Sequence, residues 1–363
     1  MKNSFGNSVT VTLFGESHGA QIGIVIDGMA PGIDIDHDFI TSQLSRRRPH
    51  GRISTSRREA DEYSIVSGVF EGKTTGTPMC ILIPNCDTRS NDYASTRSFA
   101  RPGHADYSAN CKYHGFEDYR GGGHFSGRIT APLVAAGAIA IGALGKKGIH
   151  IGTHIKKCAG VCDRSFDNIN DDIATLSCMD FAVLDSDAAN KMNDAILAAA
   201  AEGDSVGGVL ETAITGVDEG VGEPWFDSVE SQLAHILFSI PGIKGVEFGI
   251  GFDFADKKGS EANDSFCMSN GKIVTATNNN GGINGGITNG MPIVFSCAVK
   301  PTPSIYKTQA TVDFINEVDV QLSLNGRHDP AIIHRARVVV DSVSALVLCD
   351  MLAMRYGTDW LRG

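Results

Sequence analysis

An internal similarity constrains the fold of this 363-residue chain more than any other feature of its sequence. Residues 15–28 (GESHGAQIGIVIDG) align without gaps on residues 203–216 (GDSVGGVLETAITG). Glycine adopts backbone conformations that other residues avoid, so glycines repeated at one spacing indicate repeated turns. The matched positions are Gly15/Gly203, Ser17/Ser205, Gly19/Gly207, Ile26/Ile214 and Gly28/Gly216, and Ser42-Gln43-Leu44 matches Ser231-Gln232-Leu233 further on. We predict one domain, 1–363, with two related halves at roughly 8–150 and 200–355, each containing a sheet and helices.

Hydrophobic periodicity predicts strands and helices along both halves. A region of 26 residues, 163–188, shows no regular pattern and is predicted to be irregular. Predicted strands are Ser8–Phe14, Ile22–Ile26, Tyr63–Phe70, Met79–Pro84, Ile149–Lys156, Val206–Ile214, Val246–Phe254 and Ile293–Val299. Predicted helices are Asp38–Leu44, the apolar segment that follows Ser126, Asn190–Glu202, Asp227–Phe238 and Ser342–Met354.

The stretch from Arg97 to Arg128 concentrates arginines, histidines and three consecutive glycines before the longest apolar segment. Proline fixes φ and glycine permits turns, so Arg101–Asp106 is predicted to be a rigid loop carrying Arg, His and Asp. Gly121–Gly123 would let backbone approach a flat or anionic ligand closely. Ser126 is placed to cap a helix whose first N–H groups favour phosphate. An anion-binding loop and a glycine-rich surface loop before a buried helix both fit this stretch.

A second concentration of positive charge lies at residues 46–58, where six arginines fall within thirteen residues. The whole chain is acidic, with 31 Lys and Arg against 42 Asp and Glu, a net charge of −11. Arginine binds phosphate and carboxylate through two parallel hydrogen bonds. We therefore interpret the run as an anion site; a solvated charged face is the alternative.

His18 lies in a glycine-flanked turn, Gly15–Gly19, between two predicted strands. Backbone geometry rather than helix packing therefore orients its ring. Imidazole titrates near pH 6.5, which makes His18 a candidate proton donor. The alternative is an exposed histidine in a turn.

Several classes of function are disfavoured by composition. An acidic chain is a poor general binder of nucleic acid or membrane surfaces, and we expect neither as a partner. No segment has the features of a membrane span or a signal peptide. The nine cysteines form no CxxC pair, which argues against zinc and for reduced thiols in the cytoplasm. Gly68–Thr74 resembles a P-loop but has three residues between its glycines instead of four, and no GxGxxG follows a strand.

Eight motifs, spread in order over nearly the whole chain, resemble those of the chorismate synthase family. They are Gly15-Glu-Ser-His-Gly19, Arg46-Arg-Arg-Pro49, Ser67-Gly-Val-Phe-Glu-Gly72, Arg101-Pro-Gly-His-Ala-Asp-Tyr107, Arg120-Gly-Gly-Gly123, Gly203-Asp-Ser205, Lys300-Pro-Thr302 and Arg327-His-Asp-Pro330. The resemblance implies an α+β fold, a β-α-β sandwich in which antiparallel sheets enclose a helical core, with two pseudo-symmetric halves. It also implies a cytoplasmic homotetramer.

The implied activity is that of a carbon–oxygen lyase at the last step of the shikimate pathway, towards aromatic amino acids. In this family 5-enolpyruvylshikimate 3-phosphate is converted to chorismate and phosphate by a 1,4-anti elimination. Reduced FMN is required although there is no net redox change. A phosphate and two carboxylates on the substrate explain why arginine is needed.

Site residues are implied by family position. His18 would supply a proton as phosphate leaves, His104 would lie on the flavin N1 side, and Asp329 would act as base near N5. The substrate would be bound by Arg47, Arg52, Arg101, Arg128 and Arg327. FMN would contact His124, Phe125, Ser126, Pro241, Gly242, Gly285, Lys300, Pro301, Thr302, Pro303, Ser304 and Arg327. No metal is expected.

Two segments depart from the family pattern. Many members have Arg-Ser-Ser where this chain has His124-Phe125-Ser126, and Ser-Ile-Asn-Ala where it has Ser239-Ile240-Pro241-Gly242. Replacing Arg with His removes a permanent positive charge near the cofactor or substrate.

Alternative functions are a catalytically silent relative that binds flavin or an anion, a phosphotransferase, and an acidic scaffold. Some family members reduce their own flavin with NAD(P)H. Because no second nucleotide site is visible in the sequence, we favour an external flavin reductase.

Overall fold

The computed structural model describes residues 2–49, 51, 53–55, 60–86, 97–324 and 328–362. The strands are β1 Ser4–Phe5, β2 Thr10–Gly15, β3 Gln21–Asp27, β4 Ser64–Ser67, β5 Val69–Phe70, β6 Lys73–Thr74, β7 Met79–Pro84, β8 His150–Cys158, β9 Val161–Cys162, β10 Gly208–Thr215, β11 Ile243–Phe248, β12 Phe266–Ser269, β13 Lys272–Thr275, β14 Ile283–Asn284, β15 Ile287–Thr288, β16 Ile293–Val299, β17 Gln309–Asp313 and β18 Val318–Leu322. The helices are α1 His37–Arg47, α2 Asp106–Tyr113, α3 Thr130–Gly145, α4 Ile169–Leu176, α5 Ser186–Ala201, α6 Val229–Leu237, α7 Gly259–Ala262 and α8 Ile333–Tyr356.

Two five-stranded antiparallel sheets form the outer layers of the molecule. The first has the order β1-β2-β3-β7-β4 and the second β11-β16-β10-β8-β9. Alternate residues of a strand point to opposite faces. In β3, Ile22, Ile24 and Ile26 are fully buried, so one face of the first sheet is covered by the rest of the protein.

Helices fill the space between the two sheets. Helix α3 contacts β3 and β7 of the first sheet, α8 contacts β8 and β10 of the second, and the two helices pack on each other. A side chain at Gly137 of α3 would lie only 2.5 Å from the Cα of Ser342 of α8, so the small residue allows close packing. The expected α+β class, with antiparallel sheets around a helical core, is confirmed.

The two sheets share one connectivity. Across the sheet, four strands of the first have the order β2-β3-β7-β4 and four of the second have the order β8-β10-β16-β11. In both, the strand that comes last of the four in the chain lies between the second and the third. The aligned residues Gly28 and Gly216 have φ values of +82° and +83°. A side chain there would lie 3.3 Å from the Cα of Val9 and 3.1 Å from the Cα of Ile149, respectively. Strand β8 lies before residue 200, where the second half was predicted to start. The extent of the repeat therefore stays a prediction.

Short or polar elements account for most differences from the sequence predictions. Helix α4 lies inside the segment predicted to be irregular, and the strand predicted over Val246–Phe254 ends at Phe248. Gly249 and Gly251, with φ of +58° and +55°, end that strand, and a 3-10 helix follows. Helix α8 begins at Ile333, nine residues before the predicted start at Ser342, because buried polar residues interrupt the apolar pattern of its first turns.

The longest apolar segment is a core helix. Gly127–Gly145 is long and apolar enough to cross a bilayer, but 83% of it is buried inside the protein. The prediction of a buried helix over 130–144 is confirmed by α3. Ser126 caps the 3-10 turn that leads into α3, because its Oγ accepts a hydrogen bond from the Arg128 N–H.

A buried polar cluster lies in the second sheet. His154 hydrogen-bonds Asp163 through Nδ1 at 2.7 Å and Glu211 through Nε2 at 3.0 Å. Burial alone would lower the pKa of His154, but hydrogen bonds to the two carboxylates outweigh it and raise the pKa above its ordinary value. This histidine is therefore favoured as a cation inside the fold.

Candidate active site

The candidate site lies where α3 and α8 begin. Arg47, the last residue of α1, donates from Nε to the Oγ1 of Thr130, the first residue of α3, at 3.0 Å. Arg335, in the first turn of α8, donates from Nε to the carbonyl oxygen of Arg47 at 2.8 Å. Both helix N-termini therefore lie close to one residue. The free N–H groups of helix starts favour anions.

Two of the predicted substrate arginines share one carboxylate. Arg47 Nη1 donates to Asp61 Oδ2 at 3.0 Å, and Arg128 Nη1 pairs with Asp61 Oδ1. All three side chains are buried. Arg128 Nε also donates to Asn85 Oδ1 at 3.0 Å, and Asn85 Nδ2 donates to the carbonyl oxygen of Gly19 at 2.8 Å. The arginine cluster is thus joined to the turn that carries the candidate proton donor.

His18 is a buried histidine whose orientation is fixed by Ser17. Ser17 Oγ lies 3.0 Å from His18 Nδ1, 3.2 Å from the carbonyl oxygen of Arg120 and 3.1 Å from that of Gly121. Carbonyl oxygens only accept, so the serine proton points to them and Ser17 Oγ accepts from Nδ1–H of His18. In a neutral His18 the proton therefore lies on Nδ1 and not on Nε2. The alternative of an exposed turn histidine is wrong.

The glycine run packs directly against this histidine. Gly121, Gly122 and Gly123 have φ of +59°, +84° and +52°, a conformation that favours glycine. A side chain at Gly121 would overlap the His18 ring. His124 follows and donates from Nδ1 to the carbonyl oxygen of Gly15 at 2.7 Å, so only its Nε2 could contact a ligand. The run thus brings backbone against His18, and its close approach to a ligand stays a prediction.

His104 is a neutral histidine in a rigid loop. Arg101 donates to Asp106 from Nε at 2.8 Å and from Nη2 at 2.6 Å, and this pair closes the loop. Burial, followed by the positive charge of Arg101, lowers the pKa of His104 to about 4. His104 Nδ1 donates to the carbonyl oxygen of Pro102 at 3.1 Å, and Nε2 accepts from Ser304 Oγ at 2.9 Å. The lowered pKa favours the uncharged form near neutral pH, in which Nε2 accepts a hydrogen bond.

The segment that follows β16 holds the histidine loop in place. Lys300 donates from Nζ to the carbonyl oxygen of Gly103 at 2.6 Å. Its backbone N–H donates to the carbonyl oxygen of Gly242 at 2.9 Å. Ser205, in the turn before β10, donates to the carbonyl oxygen of Thr302 at 2.7 Å. Three loops distant in sequence therefore meet in one place.

Asp329 lies just before α8 and uses both carboxylate oxygens. Oδ1 accepts from the Thr55 N–H at 2.9 Å, and Oδ2 accepts from Arg335 Nη1 at 2.6 Å. A small cavity of about 40 Å³ separates Asp329 from Ser304 and is also lined by Tyr306. Asp329 therefore contacts Arg335 on the side of the arginine cluster and lines the same cavity as Ser304, which hydrogen-bonds His104.

Most predicted site residues that the structure describes fall along this chain of contacts. Gly285 does not: it lies in the turn between β14 and β15, next to Gly286, whose carbonyl oxygen accepts from Val229 at the start of α6. That turn precedes β16, whereas Lys300 follows it, so the two lie at opposite ends of a seven-residue strand. The predicted substrate residues Arg52 and Arg327 lie outside the described residues. Hydrogen bonds and ion pairs join two groups of them: His18, Arg47 and Arg128 in one, and Arg101, His104, Gly242, Lys300, Thr302 and Ser304 in the other, with Asp329 beside both.

Sequence reasoning missed three residues that hold the site together. They are Asp61, Asn85 and Arg335. An acidic residue shortly after an arginine run is a signal for an ion pair, and it could have pointed to Asp61. Arg335 had no signal, because it lies in a helical stretch whose apolar pattern is interrupted.

The geometry defines a class of protein. Buried guanidinium groups, two helix N-termini, a neutral histidine and a carboxylate surround one region of an α+β fold. Such a site can bind a small anionic molecule and move a proton.

Comparison with known proteins identifies the family. The profile of the chorismate synthase family matches residues 9–353. The chain is 47% identical over 350 residues to the chorismate synthase of Pyrococcus abyssi, covering 96% of this chain and 97% of that one. It is 46% identical over 354 residues to that of Lachnoclostridium phytofermentans, covering 96% and 95%. A solved structure described as "Crystal Structure of Chorismate Synthase" matches with a TM-score of 0.76 and 27% identity over 97% of this chain and 94% of that one.

This chain belongs to the chorismate synthase family. The resemblance carried by the eight sequence motifs is confirmed.

Proposed function

We propose that the protein converts 5-enolpyruvylshikimate 3-phosphate to chorismate and phosphate with reduced FMN bound. The observation that carries the proposal is the meeting of His18, the Arg47–Arg128 pair and Asp329 at the starts of α3 and α8. In the reaction the C–O bond to phosphate and the C–H bond at C6 break, and a new double bond forms. The substrate is neither oxidised nor reduced overall.

The residues have separate roles in this proposal. Arg47, Arg101 and Arg128, with Arg52 and Arg327, bind the phosphate and carboxylates of the substrate. His18 Nε2 donates a proton to the departing phosphate, and Nδ1 stays protonated because Ser17 accepts from it.

The residues present fit an anionic planar cofactor. At Gly122 a side chain would meet nothing closer than the Cβ of Ser126 at 3.8 Å, so its backbone is open to a ligand. Lys300 adds a cation, and the start of α3 favours phosphate. FMN would be held by residues 124–126, 241–242 and 300–304, with Arg327. Reduced flavin held by these residues would supply electron density as phosphate leaves.

His104 and Asp329 serve the proton chemistry beside that cofactor. His104 is neutral and held by Ser304, which suits a group that accepts a hydrogen bond or proton. Asp329 is fixed by Thr55 and Arg335, so its carboxylate has a set orientation as a base. We further propose a cytoplasmic homotetramer that depends on an external flavin reductase. Gly285 is retained as a proposed FMN contact, although within this chain it lies away from the others.

An anaerobic assay tests the proposal. Purified protein is mixed with chemically reduced FMN and 5-enolpyruvylshikimate 3-phosphate, and chorismate and phosphate are followed together. Equal release of both, dependent on reduced flavin, is expected. A flavin spectral change without product would support the silent relative instead. In a second, aerobic assay, sustained chorismate formation with FMN and NADPH alone would contradict external reduction.

A further inference from the structure

Arg335 is a partly buried arginine that joins the candidate base to the end of α1. Its Nη1 donates to Asp329 Oδ2 at 2.6 Å, and its Nε donates to the carbonyl oxygen of Arg47 at 2.8 Å. The side chains of Arg335 and Asp329 are 19% and 13% exposed. The two bonds leave from different edges of one planar guanidinium group. They therefore set the direction of the carboxylate relative to α1.

The position of Arg335 in its own helix is unfavourable for a cation. Arg335 is the third residue of α8, and the start of a helix carries the positive end of the helix dipole. The first turn of α8 contains no acidic residue that would offset the charge. Arg355, in the last turn of α8, lies at the end that favours a cation. The contacts of Arg335 with Asp329 and Arg47, and not the helix, therefore explain an arginine at this position.

The contact with Arg47 connects Asp329 to the start of a second helix. The last carbonyl groups of a helix have no partner within it, and Arg335 satisfies that of Arg47, the last residue of α1. Arg47 Nε in turn donates to the Oγ1 of Thr130, the first residue of α3. Asp329 is thus held on the same framework as the ends of α1 and α3.

The held carboxylate can still accept a proton. Oδ1 accepts from the Thr55 N–H at 2.9 Å, and Oδ2 accepts from Arg335. A carboxylate oxygen can accept two hydrogen bonds, so these contacts do not use up the lone pairs of Asp329. The cavity of about 40 Å³ beside Asp329 leaves space on one side of it. The arrangement therefore fixes the direction of the group and keeps its capacity to act as a base.

We propose that Arg335 is a positioning residue that orients the Asp329 carboxylate towards the C6 hydrogen of the substrate. The inference rests on the proposed function, in which Asp329 is the base. The proton moves from C6 to Asp329, and the electron pair of the C–H bond enters the new double bond as phosphate leaves. Arg335 does not touch the reacting atoms and acts through Asp329. Its removal should slow the chemical step more than it weakens substrate binding.

The test compares Arg335→Gln with Arg355→Gln, which removes the same charge from the other end of the same helix. At about 1.5 Å per residue the two positions are roughly 30 Å apart. A catalytic group misplaced by about 1 Å can cost about 10²-fold in rate. We expect kcat and kcat/KM of Arg335→Gln to fall together by about 10²-fold, because the lost interaction serves the transition state. Arg355→Gln should keep both values.

An isotope effect separates a positioning role from a structural one. A C–D bond breaks more slowly than a C–H bond, so deuterium at C6 slows turnover to the extent that this cleavage limits the rate. The isotope effect on kcat should therefore be larger in Arg335→Gln than in the unchanged protein. If Arg335 were only structural, the folded variant would melt at a lower temperature with kcat and the isotope effect both unchanged. That result would overturn the proposal.

A second variant separates geometry from charge. Arg335→Lys keeps the positive charge and is the less disruptive change for folding, but an ammonium group on a flexible stem lacks the two edges of a guanidinium group. Its kcat should stay at least about tenfold below that of the unchanged protein, because the direction of Asp329 is no longer set. Full activity of Arg335→Lys would show that charge alone is sufficient, and would refute the positioning role.

A crystal structure of Arg335→Gln gives a measurement that does not depend on activity. If the unchanged protein forms no chorismate, the proposed function fails, and the orientation of Asp329 can still be examined. In Arg335→Gln, and not in Arg355→Gln, the carboxylate is expected to turn away from its 2.9 Å contact with the Thr55 N–H. An unchanged carboxylate would contradict the inference even if the unchanged protein forms chorismate.

Discussion

Gly121→Ala should disable the site by displacing His18. A methyl group added at Gly121 would lie 2.1 Å from His18 Cε1 and 2.7 Å from Ser17 Oγ. Ordinary carbon–carbon contacts are about 3.5–4.0 Å, so the ring would have to move by about 1.4 Å or more. A displacement of about 1 Å in a catalytic group can cost about 10²-fold in rate. We expect kcat to fall by at least about 10²-fold.

The control for this variant separates steric displacement from backbone strain. Alanine at positive φ costs about 1–2 kcal/mol wherever it is placed. Gly148 also has positive φ, +76°, but a side chain there would meet nothing within 4 Å. Gly148→Ala should therefore lower stability by a similar amount and leave kcat unchanged. The assay is anaerobic chorismate formation with reduced FMN, with melting temperatures measured in parallel. Near-normal kcat in Gly121→Ala would refute the role of the glycine run in placing His18.

Three further predictions concern catalysis and stability. His104→Ala and Asp329→Ala should each lower turnover by at least about 10²-fold with unchanged circular dichroism, and a near-normal rate would remove that residue from the mechanism. Asp350 accepts hydrogen bonds from the backbone N–H groups of residues 7–9, of which only that of Val9 is buried. Asp350→Ala should therefore lower the free energy of unfolding by about 1–3 kcal/mol in urea titrations, which is the cost of one unmet buried donor. The raised pKa of His154 stabilises the fold below about pH 6.5, and this contribution is lost as pH rises through the folded-state pKa. His154→Gln should therefore lower the melting temperature more at about pH 5.5 than at about pH 9, and an equal loss at both would refute the ionised cluster.

Long apolar elements could be predicted from the sequence because their burial is visible in the pattern. Strand β3 and helix α3 were placed within a few residues, since alternation and continuous apolar character have different periods. The start of α8 was misplaced because His334 and Arg337 are polar residues that the fold buries, and Arg335 between them is partly buried. Tertiary contacts satisfy them there. No local pattern reveals such contacts.

The site shows the same division. The residue types in the motifs predicted anion binding and proton transfer, because arginine commonly binds anions and histidine commonly transfers protons. The partners of these residues could not be predicted from the sequence. The pairing of Arg128 with Asp61 and the hydrogen bond from Ser304 to His104 both join loops that are more than sixty residues apart. The separation of Gly285 from the other predicted FMN contacts could not be predicted either, because it depends on the direction of β16 in the second sheet.

The candidate site combines residues from both predicted halves of the chain. Arg47 contacts the first residue of α3 and Arg335 in the first turn of α8, so the starts of the two helices lie in one region. The first half supplies His18 and the Arg47–Arg128 pair, and the second supplies Asp329 and the segment after β16. In an anti elimination the leaving group and the proton depart from opposite faces of the substrate. In the proposed reaction, His18 of the first half would supply the proton to the leaving phosphate, and Asp329 of the second half would remove the proton from the other face. The proposed reaction therefore takes its proton donor, His18, from the first half and its base, Asp329, from the second.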